Sequence, residues 1–434
     1  MITTSWKSLS KFREPKILHS TSKQAAFIFA IALIVRLAIT IHQHAWTHNV
    51  RAEMEREAIS MATTGVLGNA FSLPTGPSAT VPPLYPLIMS GIFRVFGSGV
   101  WGESVKVLLT CLVSSTQYAL LPWLGKRLGL AAPIGLAAGL LGALVPLNPY
   151  IEIQGDFENH LSALLFLILL GWTELAMSRN PTLNGALGLG FFYGVCALTS
   201  PALGPICLIS FAVIVYQHRQ TVLARPQIAC AAALASILVV APWGIRNYIE
   251  LGSPILTRSN FGLEFSLANN DRASPLMTEN AALYACCHPL ESEDQAREVQ
   301  RLGEVGYNKR LKDQTLAWVR EHPYRFAKLT ALRFWYFWAP KAPEELRTLA
   351  FRLLTLLSIP GLWFLWRTNR RAALFLFVPL VVYPLPYYLV QMHFRYRYPF
   401  NFVFLLLSCV AVYFIAKSRV KSRQMPVEEN LNVR

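Results

Sequence analysis

Long apolar runs, broken at near-regular intervals by short basic clusters, dominate the chain. Runs close to the roughly 20 residues that one helical crossing of a bilayer takes lie near 24–43, 103–125, 130–148, 158–178, 183–200, 201–217, 226–243, 349–366, 372–390 and 399–416. The two flanking Ser200-Pro201 are the shortest and need adjoining residues to complete a crossing. All are far longer than strands, and hydrocarbon offers backbone groups no water partners, so the pattern predicts an all-α integral membrane bundle of about ten spans. Composition agrees: 434 residues with 53% hydrophobic, 15% charged and mean hydropathy +0.37 exclude a soluble globule.

Orientation follows from the connections that hold Lys and Arg, because basic residues are retained on the cytoplasmic side. Lys7, Lys11, Arg13, Lys16 and Lys23 precede the first span. Every second connection then carries Lys126-Arg127, Arg179, Arg219 with Arg225, Arg367 with Arg370-Arg371, and Lys417 to Arg423. Both termini are thus expected in the cytoplasm of a plasma (inner) membrane protein, with the first helix as the targeting signal. Pro83 to Gly97 is apolar, but at about 15 residues it is short for a span. It also contains Arg94 and would invert every later connection, so it reads as a juxtamembrane helix at the outer interface.

The chain then divides into a cytoplasmic tail (1–23), a transmembrane half (24–243) containing a first outer loop (44–102), an extracytoplasmic loop or small helical insertion (244–348), C-terminal spans (349–416) and a second cytoplasmic tail (417–434). Shorter outer connections fall at 149–157 and 391–398. Within the long loop, Glu291 to Val319 is rich in helix formers, as a lid-like subdomain would be. Only Ser418 to Arg434 resembles a disordered tail. The net charge of +16 is partly topogenic, and no nucleic-acid motif accompanies it. Excess positive charge outside suits an anionic lipid phosphate.

Of seven cysteines, Cys111, Cys196, Cys207, Cys230 and Cys409 fall within spans and read as packing residues. Cys286-Cys287-His288 lies outside, without the separated spacing of metal ligands. No Walker loop, dinucleotide fingerprint or zinc-protease motif is present. Arg36, inside the first span, must face protein or water and reads as a structural pair.

The segments Glu55-Arg-Glu-Ala-Ile59-Ser with Gly65, Gly76-Pro-Ser-Ala-Thr-Val-Pro-Pro-Leu-Tyr-Pro86 and Phe93-Arg-Val-Phe-Gly97 together resemble the first outer loop of GT-C polytopic glycosyltransferases. These are the bacterial relatives of protein O-mannosyltransferases and aminoarabinose lipid A transferases. Ala241-Pro-Trp-Gly-Ile-Arg246-Asn-Tyr248, Ser259-Asn-Phe-Gly262, His322-Pro323 with Arg333-Phe-Trp335, and Arg395-Tyr-Arg-Tyr-Pro399 look like later landmarks of that family. The chain departs where relatives carry an Asp-Glu pair, having Glu53-Met-Glu55, and where they carry a basic residue in the fifth span, having Ser200-Pro201. The resemblance implies a GT-C fold and transfer, at the outer face, of a sugar from a polyprenyl-phosphate donor to a lipid, glycan or protein acceptor.

That chemistry asks for a carboxylate to take a proton from the attacking hydroxyl and for cations to hold the leaving phosphate. Glu55 is the expected base, with Glu53 as its neighbour alternative. The resemblance gives Glu158, with Asp156, a role in orienting an acceptor or a metal, against N-terminal capping as the bland account. Arg246, Arg395 and Arg397 are the phosphate candidates, with interface anchoring as their ordinary role. Pro83 and Tyr85 belong to the substrate loop. His160 reads as packing. The residues require no cofactor and leave a divalent cation open. The different-class alternative is a transporter or flippase of a lipid-linked sugar or other amphiphile, whose polar groups would concentrate near the midplane.

Overall fold

The computed structural model describes residues 20–47 and 51–423, with side chains to residue 419. The N-terminal basic residues through Lys16 and the end of the C-terminal tail lie outside the described residues. Residues 418–423, expected within a disordered tail, continue the last helix, Asn401–Arg423. The protein is an all-α polytopic membrane protein; 79% is helical, and the described residues hold only two isolated β-bridges.

Seven helices among the described residues are long and apolar enough to cross a membrane: Thr21–Gln43, Val100–Arg127, Asn159–Ser178, Gln227–Leu251, Glu345–Thr368, Arg370–Leu389 and Phe394–Arg419. The three other expected crossings are the shorter apolar helices Ala132–Leu144, Leu183–Thr199 and Pro201–Gln217. Pro83 to Gly97 forms the 13-residue helix Leu84–Phe96, too short to span hydrocarbon unaided.

The last helix is the centre of the bundle. From Phe400 to Leu407 no residue is more than 1% exposed, and a helix apolar on every side belongs in an interior. Backbone approaches tighten the packing around it. A Cβ at Gly361 would lie 1.9 Å from the Leu407 carbonyl oxygen; between Leu183–Thr199 and Gln227–Leu251, one at Gly190 would lie 2.0 Å from that of Ala232.

Arg36, fully buried, donates to the carbonyls of Ala32, Ala143 and Gly142 and pairs with Glu152. The structural pairing expected for it is present, although Glu152 carried no signal of its own. At the opposite end, Arg371 pairs with Glu174 at 2.9 Å, and Asn369 donates to the Leu128 carbonyl.

The long connections meet at one end of the bundle. Helices Glu53–Thr64 and Leu84–Phe96 frame a loop in which Gly68 lies against Gly76 so closely that a Cβ would fall 2.1 Å from the Gly76 oxygen. Helix Glu293–Glu321, kinked at Gly303, covers this loop. Glu304 accepts from the Ala79 amide (2.9 Å), the Thr80 hydroxyl (3.1 Å) and the Ser259 hydroxyl (2.5 Å). Gly262 admits the same helix, since a Cβ there would meet the Asn308 oxygen at 1.9 Å.

Candidate active site

Two polar clusters sit at this end, and the first outer-loop helix supplies both. Glu53 and Glu55 point apart because alternate residues on a helix fall on different faces.

The inner cluster is buried. Glu55 (2% exposed) turns toward Val100–Arg127, where Lys106 lies 2.8 Å from Glu103, 3.0 Å from Asp156 and 3.8 Å from Glu55. Asp156 also accepts from the Tyr150 hydroxyl at 2.9 Å. Glu55 Oε2 has no hydrogen-bond partner. Burial pushes the Glu55 carboxyl up to about 8; Lys106 pulls it down, while the neighbouring Glu103 and Asp156 hold it high.

The second cluster is more open. Glu53, 18% exposed at its side chain, lies 3.3 Å from His288 Nε2. His288 Nδ1 accepts the Leu290 amide, which leaves Nε2 as the donor. Glu158, half-buried, makes no cap bond to its helix. It faces Arg258, Arg395 and Glu53, and its carboxyl is raised by burial against the pull of the two guanidinium groups. Arg395 packs over Phe157 at 3.8 Å and over Tyr396 at 5.3 Å. The Tyr284 hydroxyl, near Glu264, Tyr396, Arg395 and Glu53, is raised chiefly by burial.

The other expected site residues have architectural partners. Arg246 donates to the Ser78 (2.7 Å) and Leu67 (2.5 Å) carbonyls and lies over Trp243, which itself donates to the Thr257 carbonyl. Its motif therefore braces the first loop, with a third hydrogen bond going to Asn247 Oδ1 at 2.8 Å. Arg397 is fully buried, donating to the Trp338 and Phe351 carbonyls and lying over Phe404 at 3.7 Å. Of the three phosphate candidates it alone is fully buried. Tyr85 donates to the Gly155 carbonyl and packs edge-on against His160, and Pro83 caps the helix behind it. Glu57 accepts from Ser78 at 2.7 Å, and burial pushes its carboxyl up to about 8.

Sequence reading missed Lys106, Glu103 and Arg258. The first two look like ordinary helix-terminal charges, and Arg258 lies in a segment without regular structure. Arg258 Nε is buried without a partner, and its side chain also lines a surface cavity of about 340 Å³ with Lys309 and Lys312.

No family model and no curated protein matches the chain. Among solved structures, the Archaeoglobus fulgidus oligosaccharyltransferase in complex with Zn and sulfate superposes with a TM-score of 0.54 at 16% identity, over 90% of this chain and 49% of that one. The same archaeal enzyme, AglB, in complex with an inhibitory peptide and a dolichol-phosphate gives 0.52 at 15% identity, over 92% and 51%. The chain shares the fold of that archaeal enzyme's matching part. ArnT from Cupriavidus metallidurans bound to undecaprenyl phosphate matches at 0.39 and 15% identity, over 93% and 80%, too distant to add to that assignment. The chain spans about half the length of the archaeal enzyme. The zinc in the archaeal complex raises the question of fit. Among the described residues, no group of three His, Cys, Asp or Glu is arranged to hold a metal ion. Cys286 and Cys287 are bonded to each other, and the converging Glu55, Glu103 and Asp156 enclose an ammonium. The donor set does not fit a metal.

Proposed function

We propose that the protein is a membrane glycosyltransferase that moves a hexosyl or pentosyl group from a polyprenyl-phosphate carrier to an acceptor hydroxyl at the extracytoplasmic face, with inversion. The observation that carries this reading is Glu55: a carboxyl raised to about 8, with one oxygen that accepts no hydrogen bond, at the same end of a GT-C fold as Arg395 and Arg258. In one step the acceptor oxygen attacks the anomeric carbon and its proton passes to Glu55. The bond from that carbon to the phosphate oxygen breaks, and the electron pair leaves with the phosphate. Arg395 and Arg258 receive the phosphate charge; guanidinium groups suit this because they present fixed pairs of donors and keep their charge. Glu158 and Asp156 orient the acceptor. Glu55 is sealed from solvent in this conformation, so acceptor binding must part the first loop from Val100–Arg127. The clustering of carboxylates at the loop end, rather than midway along the spans, favours transfer over a carrier that flips the lipid.

The test is to incubate the purified protein in lipid nanodiscs with a panel of polyprenyl-phosphate sugars and to identify products by mass spectrometry. Free polyprenyl phosphate, with a glycosylated acceptor or free sugar, is expected from one donor. Intact donors throughout, together with donor moved across the bilayer of reconstituted vesicles, would favour the carrier.

A further inference from the structure

Lys106 is the residue whose placement the reaction, as proposed, leaves unexplained. A lysine 2% exposed within an apolar helix is unfavourable unless it is paired, and this one is paired by three carboxylates from three separate segments. Glu103 comes from its own helix, Asp156 from the connection before Asn159–Ser178, and Glu55 from the first loop. One ion pair would satisfy the charge. Instead the three carboxylates share one ammonium, at 2.8, 3.0 and 3.8 Å. A cation there sets the separation of Glu55 from Asp156 and offsets part of the repulsion among the three groups.

We propose that Lys106 is the resident cation of this site: a positioning residue that holds Glu55, Glu103 and Asp156 in register, so that transfer runs without a bound divalent metal. The proposal rests on the transferase reading above. A covalently attached ammonium has fixed charge and cannot be chelated, so the site stays assembled whatever the supply of metal. Lys106 is the tethered positive charge in contact with Glu55, whereas Arg395 and Arg258 belong to the neighbouring cluster that faces Glu158.

Three measurements test this. First, wild-type protein stripped with a chelator is expected to release carrier from its donor within about twofold of the untreated rate, a limit well inside the 100-fold or greater loss typical when an electrostatic group is removed from an active site. Loss on chelation that zinc or manganese restores would overturn the proposal. Second, stripped wild-type protein exposed to Zn²⁺ or Mn²⁺ and then desalted is analysed for metal content beside Asp156→Asn. Equal content in the two is expected; wild-type metal that disappears in Asp156→Asn would place a metal where Lys106 is assigned. This arm needs no turnover, so it still reads if no donor is found. Third, Lys106→Met is expected to lower turnover about 100-fold and to move the alkaline rise of the pH–rate profile upward, because Glu55 loses the group that pulls its proton affinity down while Glu103 and Asp156 remain. An unchanged midpoint in folded Lys106→Met would reduce Lys106 to a structural pair. If that variant does not fold, the wild-type arms decide.

Discussion

At the residue scale, the account turns on what burial does to ionisable groups. Glu55 is raised from the ordinary carboxylate range to about 8, so it is mostly protonated at neutral pH and becomes a competent base as pH rises through about 8. Turnover is therefore expected to climb between about pH 7 and 8.5; a profile flat from pH 6 to 9 would remove Glu55 from the base role. Glu57 shares the raised value but accepts from Ser78 and faces Glu304 and Arg246. A carboxyl whose folded pKa lies above its unfolded value contributes stability that is full below about 4.5 and is lost as pH rises toward 8. Glu57→Gln should accordingly flatten the decline of melting temperature between pH 6 and 8.5 while leaving the alkaline rise of activity in place. Arg36→Ala should cost about 3–5 kcal/mol, since it strands the buried Glu152 without its charge partner; thermal unfolding of the variant in detergent measures this.

At the element scale, the helices were legible in the chain and the roles of their ends less so. Apolar periodicity and basic punctuation locate the crossings because hydrocarbon leaves a peptide backbone few alternatives. The helix Leu84–Phe96 was equally legible, since its length, Arg94 and the alternation of basic connections together spoke against a span. What pattern did not show is which motif residues face a ligand. Arg246 and Arg397 look like Arg395 in sequence, all beside aromatic residues at helix ends. They differ only in the carbonyls that tertiary packing brings to them, a property that spacing does not encode. Arg258 was missed for the converse reason: no periodicity surrounds it. The docking of Glu293–Glu321 on the first loop is likewise a tertiary fact, made through Glu304 and the close approach at Gly262. Gly262→Val should displace that helix at a cost of about 1–3 kcal/mol. The expected sign is faster proteolysis between residues 253 and 321 with the transmembrane core left intact; wild-type protection would show that the contact is not needed for docking.

At the scale of the whole molecule, the bundle is a scaffold that brings distant segments to one end: residues 53–57, 103–106, 156–158, 258, 304 and 395. From the charge pattern of the connections, that end is proposed to lie outside the cytoplasm. Single cysteines introduced at Ser98 and at Gln220 into a version lacking the natural cysteines should be labelled by a membrane-impermeant thiol reagent from opposite sides, Ser98 from outside the cell and Gln220 only after permeabilisation. The reverse labelling would invert the topology and place the reaction in the cytoplasm. The central claim is that a base and a phosphate-holding arginine serve one transfer. The most direct measurement compares carrier release and donor affinity in wild type, Glu55→Gln and Arg395→Ala on the same donor. Glu55→Gln is predicted to lose at least about 100-fold in turnover with donor affinity retained, and Arg395→Ala to lose donor affinity by about tenfold or more. Wild-type turnover in Glu55→Gln, or unchanged donor affinity in Arg395→Ala, would contradict it.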